Sequence, residues 1–154
     1  MGAMNQGITD SNGRVVGVTH EIFIKPGMTS RWKGEDLHNI FKDRDKRKVH
    51  LLVVGGQDLK ERKKALVKNS DAIVVLPGGP GTFDKLWEMV CAKQIGLINL
   101  PIVCVNVQGY YNPFREMLER AHEEQFLYKS PGEIVHFEDT SEDAINFIES
   151  ALIK

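Results

Sequence analysis

The sequence predicts an α/β fold in which a parallel sheet is covered by helices on both faces. Short apolar runs, each long enough for one buried strand, recur along the 154 residues. They alternate with segments whose apolar residues repeat at helical spacing. The clearest pair is an apolar run from Asp71 to Leu76 that leads through Pro-Gly-Gly-Pro-Gly into a helix. Buried parallel strands joined by helices account for these patterns.

The elements expected before this glycine loop include two strands. In order they are the tail of a helix at 1–10, a turn at 11–13, a strand at 14–19, a loop at 22–34, one or two helical turns at 35–41, a strand at 49–54 and a helix at 58–68. The last of these helices carries a dense charged face.

The elements expected after the loop continue the alternation. They are a helix with apolar residues from Phe83 to Ile95, a strand at 102–105, a helix from Asn112, a turn at Pro131-Gly132, a strand at 133–137 and a helix at 140–152. Asp143 stands where a capping-box acid would satisfy the start of the last helix.

Length and composition exclude several classes of partner. The 154 residues, 42% of them apolar, fit one domain spanning 1–154. A net charge of -1 argues against a nucleic-acid partner, and the basic cluster at 42–48 is interrupted by Asp43 and Asp45. No apolar run is long enough for a membrane span, and no leader pattern stands at the N-terminus. A soluble, cytoplasmic protein without a membrane partner is therefore expected.

The cysteines and histidines predict neither disulfides nor metal binding. Cys91 and Cys104 lack Cys-x-x-Cys spacing and are expected to be buried free thiols in a reducing compartment. The five histidines contain no pair spaced i, i+4. No metal site is expected.

The glycine loop has the composition of an anion site. Gly78, Gly79 and Gly81 are expected to let the backbone turn through positive φ and approach a ligand, while the N–H groups at the helix start favour a phosphate. Thr82 adds a hydroxyl. The alternative is a simple connecting turn in which Thr82 is only the N-cap. The loop matches neither the Walker pattern nor Gly-x-Gly-x-x-Gly.

The run Pro77-Gly78-Gly79-Pro80-Gly81-Thr82 resembles the signature of the LONELY GUY family, long mislabelled lysine decarboxylases. The resemblance extends to Glu61-Arg62-Lys63, Trp87-Glu88-Met89-Val90, Gln94-Ile95-Gly96 and Asn106-Val107-Gln108-Gly109-Tyr110-Tyr111-Asn112. It implies a Rossmann-like fold and hydrolysis of the N-glycosidic bond of AMP-like nucleoside 5′-monophosphates, N6-modified ones included, as in cytokinin activation. It also implies a homodimer with no cofactor.

The resemblance assigns substrate and phosphate binding to the loop and to a basic pair, namely Gly78, Gly79, Pro80, Gly81, Thr82, Arg62 and Lys63. It also implicates Arg62 in catalysis, and a guanidinium suits forked bonds to phosphate. The alternative for Arg62 is a solvated helix face. Cys91 stands where many members have threonine, which makes it a further binding candidate.

The chain departs from the family at its catalytic carboxylate. The family has glutamate where this sequence has Lys85, and a lysine cannot stabilise a ribosyl cation. Loss of such a group costs about 3–4 kcal/mol of transition-state stabilisation. Asp84 and Glu88 are the nearest acids, and Glu88 lies on the same helix face as Lys85. A second hypothesis is therefore a catalytically impaired nucleotide-binding or dimer-partner homologue.

Two further differences accompany Lys85. Family members carry a strand, a helix and a second strand before this point, including a glycine-rich loop of which only Met1-Gly2-Ala3 remains, so the sheet is expected to lack the family's first strands. A second family glutamate has no clean counterpart, with Glu35 the nearest acid. No pyridoxal phosphate pattern surrounds any lysine, which argues against lysine decarboxylation.

Overall fold

Parallel strands in open sheets, flanked by helices, confirm the predicted α/β, Rossmann-like fold. The computed structural model describes residues 2–23, 49–56 and 59–153. The chain divides into two units, Met1–Asn69 and Ser70–Lys154. Residues 24–34 of the loop predicted at 22–34, and the helical turns predicted at 35–41, lie outside the described residues.

The first unit contains a pair of parallel strands. Its elements are α1 (Gly2–Asp10), β1 (Val15–His20), a 3-10 turn (Glu21–Phe23), β2 (Val49–Val54) and α2 (Lys60–Val67). Val15 is in register with Val49, and His20 with Val54. Leu52 is buried beneath apolar side chains of β1, β2 and α2. The predicted helix at the start of the chain, both strands and the charged helix are confirmed to within two residues at each end.

The second unit contains a sheet of three parallel strands in the order β3-β4-β5. Its elements are β3 (Ile73–Val75), α3 (Pro80–Gln94), β4 (Ile102–Val105), a 3-10 turn (Val107–Gly109), α4 (Asn112–Glu123), α5 (Pro131–Ile134), β5 (His136–Glu138) and α6 (Ser141–Leu152). All four residues of the central strand β4 are buried, which explains why its sequence is a continuous apolar run. Ala144 and Ile148 of α6 pack on Val103 and Val105.

The strand predicted at 133–137 is partly wrong, because the chain first forms a helical turn. Ser130 and Glu133 form a capping box, in which the Ser130 N–H donates to the Glu133 carboxylate over 2.9 Å. Pro131 occupies the first turn of α5, where its missing N–H costs nothing. Hydrogen bonds from Ser130 lower the pKa of the Glu133 carboxyl. The strand consequently begins only at His136.

The helix start predicted at Thr140 is confirmed. The Thr140 Oγ1 accepts a hydrogen bond from the backbone N–H of Asp143 over 3.1 Å. The same hydroxyl donates to the Asp143 carboxylate over 2.6 Å. Within the described ranges, no helix combines the length and the apolar character needed to cross a membrane.

The two cysteines have different environments. Cys104 is buried in β4, as predicted, and burial raises the pKa of its thiol to about 12. Cys91 is exposed on α3, so its predicted burial is wrong. Its place in an amphipathic helix does not reveal which side faces solvent until the packing of that helix is known.

This difference predicts selective labelling of the native protein. A thiol reagent at neutral pH should modify Cys91 rapidly and leave Cys104 unreacted, because the reactive thiolate is both buried and scarce at Cys104. Counting modified thiols by mass spectrometry should give one per folded chain and two after denaturation. Equal labelling rates for both cysteines in the folded state would contradict the burial of β4.

Candidate functional site

The glycine loop connects the carboxyl end of β3 to the first turn of α3. Because β3, β4 and β5 are parallel, their carboxyl ends lie at one edge of the sheet, where open α/β sheets bind ligands. Helix α3 begins at Pro80 with Gly79 as its N-cap. Thr82 is the third helical residue, so the alternative in which Thr82 is the N-cap is wrong.

Of the three loop glycines, Gly78 is needed for space, and the positive φ predicted for the loop glycines is wrong. The glycines with positive φ in the described residues are Gly56, Gly96 and Gly109. A Cβ on Gly78 would lie 2.3 Å from the Thr82 Oγ1, which is far inside van der Waals contact. A Cβ on Gly79 would meet no atom within 4 Å, so the space beside Gly79 is open.

The loop presents backbone donors at the start of a long helix. Within the described residues, the N–H groups of Gly78, Gly79 and Gly81 make no hydrogen bond. The Gly79 carbonyl accepts from the N–H groups of Thr82 and Phe83, over 2.8 and 3.2 Å, and so closes the first helical turn. Three unsatisfied donors together with the helix dipole make an arrangement suited to an anion.

Two tyrosines that are adjacent in the sequence donate hydrogen bonds to backbone carbonyl groups at the glycine loop. The Tyr110 hydroxyl donates to the Gly78 carbonyl over 2.5 Å, and the Tyr111 hydroxyl donates to the Leu76 carbonyl over 2.6 Å. Tyr111 is fully buried. Burial is the main cause that raises the pKa of its hydroxyl to about 12, and the nearby Cys104 and Tyr110 raise this pKa further. Tyr111 therefore keeps its hydroxyl proton for this hydrogen bond across the neutral range.

Asn106 fixes the segment that carries the tyrosines. It follows β4 and is 3% exposed. Its N–H donates to the Glu138 carbonyl of β5, and its Oδ1 accepts from the Tyr111 N–H, both over 2.6 Å. Its Nδ2 donates to Asn112 Oδ1 over 2.9 Å. Through its backbone N–H and its side-chain amide, Asn106 thus connects the ends of β4 and β5 to the segment that carries the tyrosines.

Ring packing links the tyrosines to the first turn of α3. Phe83 is nearly parallel to Tyr110, with ring centroids 6.3 Å apart. Tyr111 meets Tyr110 edge to face at 5.1 Å and Phe83 at 6.4 Å. The three rings stabilise the geometry from which both hydroxyls reach the loop.

The candidate catalytic residues of α3 lie just beyond the loop. Lys85 is half-buried, and its ammonium group donates to the Gly81 carbonyl. Glu88, three residues later, is also half-buried, and its Oε2 is inaccessible to solvent. Asp84 is exposed. The site therefore has a positive group next to the loop and a carboxylate-bearing residue, Glu88, whose Cα lies about 4.5 Å beyond that of Lys85 along the helix axis.

Arg62 and Lys63 lie on α2 in the first unit. The Arg62 Nε donates to the Val18 carbonyl of β1 over 3.1 Å, and its guanidinium lies 6.0 Å from the Phe23 ring centroid. Arg62 and Lys63 are half-buried, whereas Glu61 and Lys64 form an exposed ion pair at 2.9 Å. The charged run therefore has an exposed face and a face held against β1.

Cys91 and Trp87 lie further along α3. Cys91 follows Gly81 by ten residues, which places it about 15 Å along the helix axis from the loop. Within one chain it does not approach the loop donors. Trp87 packs edge to face on Phe114 at 4.9 Å but remains 39% exposed. Trp87 is therefore only partly packed.

Sequence reasoning assigned no role to Asn106, Tyr110 or Tyr111. All three belong to the stretch 106–112 that resembles the family, and the stretch directly follows a buried strand. A polar residue at the end of a parallel strand was the available signal. In the part of the chain that the structure describes, no three His, Cys, Asp or Glu side chains gather as a metal site.

Comparisons with known proteins show the family of the chain. The family described as "Possible lysine decarboxylase" matches residues 1–148. The chain is 28% identical over 97% of its length to the cytokinin riboside 5′-monophosphate phosphoribohydrolases LOG3 and LOG4 of Arabidopsis thaliana. It is also 28% identical over the same share to the probable phosphoribohydrolase LOGL2 of Oryza sativa subsp. japonica.

The chain spans 61% of the length of LOG3 and of LOG4, and 54% of LOGL2. The family match covers nearly all of the chain and includes the glycine loop, α3 and the segment that carries the tyrosines. The chain therefore belongs to the family described as possible lysine decarboxylases, which includes the LOG phosphoribohydrolases.

Proposed function

We propose that this protein hydrolyses the N-glycosidic bond of nucleoside 5′-monophosphates, releasing a free base and ribose 5-phosphate. The proposal rests on the three backbone N–H donors at the start of α3. The loop that presents them accepts hydrogen bonds from the hydroxyl groups of Tyr110 and Tyr111. The names of the relatives support the substrate class, because they are phosphoribohydrolases of cytokinin riboside 5′-monophosphates. N6-modified adenosine monophosphates are the substrates we would test first.

The reaction needs a phosphate site, a carboxylate and a group that helps the base leave. The C1′–N bond breaks, the water oxygen bonds to C1′, and one water proton goes to the departing base. In our proposal the loop from Gly78 to Thr82 binds the 5′-phosphate. Glu88 is the half-buried acid of α3 that could stabilise the ribosyl cation.

The basic pair has a supporting role in this proposal. Arg62 and Lys63 match the family's Arg-Lys pair and would bind substrate, with Arg62 also contributing to catalysis. The hydrogen bond from Arg62 to β1 orients the Arg62 side chain in advance, so that little conformational entropy would be lost when a substrate binds. We further propose a single nucleotide-binding domain over 1–154, a homodimer and a cytoplasmic location, all of which the resemblance favours.

A second candidate function is nucleotide binding without turnover. It is favoured by Lys85, whose ammonium group lies at the first turn of α3, where the family has its carboxylate. A positive charge there would help to hold a phosphate and would oppose a ribosyl cation. The two candidates share the phosphate site and differ only in whether the glycosidic bond breaks.

The direct test is free-base release from adenosine 5′-monophosphate and from its N6-isopentenyl derivative, followed by chromatography. We expect release from the monophosphates and none from the matching nucleosides, because the nucleosides cannot use the phosphate site. Calorimetric binding of the same ligands is the control. Binding without release would support the second candidate, and neither binding nor release would overturn both.

A further inference from the structure

We propose that Tyr110 is a positioning residue that sets the direction of the Gly79 N–H in the anion site. This inference rests on the phosphate site of the proposed function. Its observation is the hydrogen bond from the Tyr110 hydroxyl to the Gly78 carbonyl, which joins residues 32 positions apart. The Gly78 carbonyl and the Gly79 N–H belong to the same peptide group.

The geometry of a trans peptide makes this contact directional. The carbonyl and the N–H of one peptide group point in opposite directions, and the described residues contain no cis peptide. By holding the Gly78 carbonyl, Tyr110 therefore turns the Gly79 N–H away from itself. Gly79 itself has open space beside it, since an added Cβ would meet no atom within 4 Å.

The loop needs such a restraint because two adjacent glycines bend easily. Gly78 and Gly79 lack Cβ atoms, so rotation of the peptide between them costs little. A rotated peptide would aim the Gly78 carbonyl oxygen at a bound phosphate, replacing an attractive donor with a repulsive acceptor. A hydrogen bond to that carbonyl disfavours the rotated form by the strength of the bond.

Tyr111 makes a similar bond that cannot have this effect. Its hydroxyl donates to the Leu76 carbonyl, and the next residue, Pro77, has no N–H. Tyr111 therefore anchors the entry to the loop without orienting a donor. The neighbouring tyrosines thus supply a matched pair in which only Tyr110 controls the direction of an N–H group.

The experiment measures how well the full chain discriminates a nucleotide from its nucleoside. Dissociation constants for adenosine 5′-monophosphate and adenosine are determined by calorimetry for the parent, Tyr110→Phe, Tyr111→Phe and Tyr128→Phe. Tyr128 is 84% exposed and serves as a surface control. Phenylalanine preserves the ring, so the packing of Tyr110 against Phe83 and Tyr111 is retained.

We expect Tyr110→Phe to reduce the preference for the monophosphate roughly five- to tenfold. Tyr111→Phe should lower the thermal midpoint and leave the ratio of the two constants within about twofold of the parent, and Tyr128→Phe should change neither. An unchanged ratio in Tyr110→Phe, or an equal loss of the preference for the monophosphate in Tyr110→Phe and Tyr111→Phe, would overturn the role of Tyr110 and leave the proposed function standing. A parent without preference for the monophosphate would overturn the phosphate site itself.

Discussion

Replacing Lys85 with glutamate should accelerate base release from adenosine 5′-monophosphate by roughly two to three orders of magnitude over the parent. In the proposed mechanism, the change places a carboxylate where the resemblance puts the family's catalytic glutamate, and this carboxylate would stabilise a ribosyl cation. It also removes an ammonium group that donates to the Gly81 carbonyl at the first helical turn. The measurement is kcat by chromatographic detection of free adenine.

The control for this prediction is Lys85→Gln, which removes the positive charge without adding a carboxylate. It loses the same ammonium contact with Gly81, so any effect of that contact on the loop appears in both variants. We expect Lys85→Gln to gain far less activity than Lys85→Glu. Equal gains in the two variants would show that removal of the positive charge is enough to raise kcat. Lower activity in Lys85→Glu than in the parent would assign the role of the catalytic carboxylate to another residue, and Glu88 would be tested first.

Substituting Gly78 with alanine should lower the free energy of unfolding by about 1–3 kcal/mol and abolish binding of the monophosphate. The new Cβ would lie 2.3 Å from the Thr82 Oγ1 and 3.0 Å from its Cβ, so the Thr82 side chain must rotate and the loop or the first turn of α3 must yield as well. We expect the shift of the loop to break the contact between the Tyr110 hydroxyl and the Gly78 carbonyl. Thermal unfolding and calorimetry measure the two effects.

Two further variants separate the clash from other effects. Adding Thr82→Ala to Gly78→Ala removes the closest atom and should recover part of the lost stability, a non-additive result expected of side chains in contact. Gly79→Ala should leave stability nearly unchanged, because its Cβ enters open space, while weakening nucleotide binding there. An unaltered thermal midpoint in Gly78→Ala would contradict the close approach of Thr82.

Much of the local structure could be predicted because its signals are local. The strand at 102–105, the glycine loop and the cap at Thr140 each depend on residues within a few positions of one another. The error at 133–137 is also local, since the capping pattern Ser130-Pro131-Gly132-Glu133 starts a helical turn and takes precedence over the apolar run that overlaps it. Family membership likewise follows from short motifs that stand close together in the sequence.

The sequence by itself determined the alternation of strands and helices and the position of the glycine loop, and it predicted that Lys85 stands where the family has its catalytic glutamate. Only the tertiary structure showed that Gly78 must be small because of Thr82, and that Tyr110 reaches the Gly78 carbonyl across 32 residues. The Tyr110 contact depends on the register of β3 beside β4 and on the turn after Asn106. No periodicity encodes it, because its geometry exists only once the strands are paired.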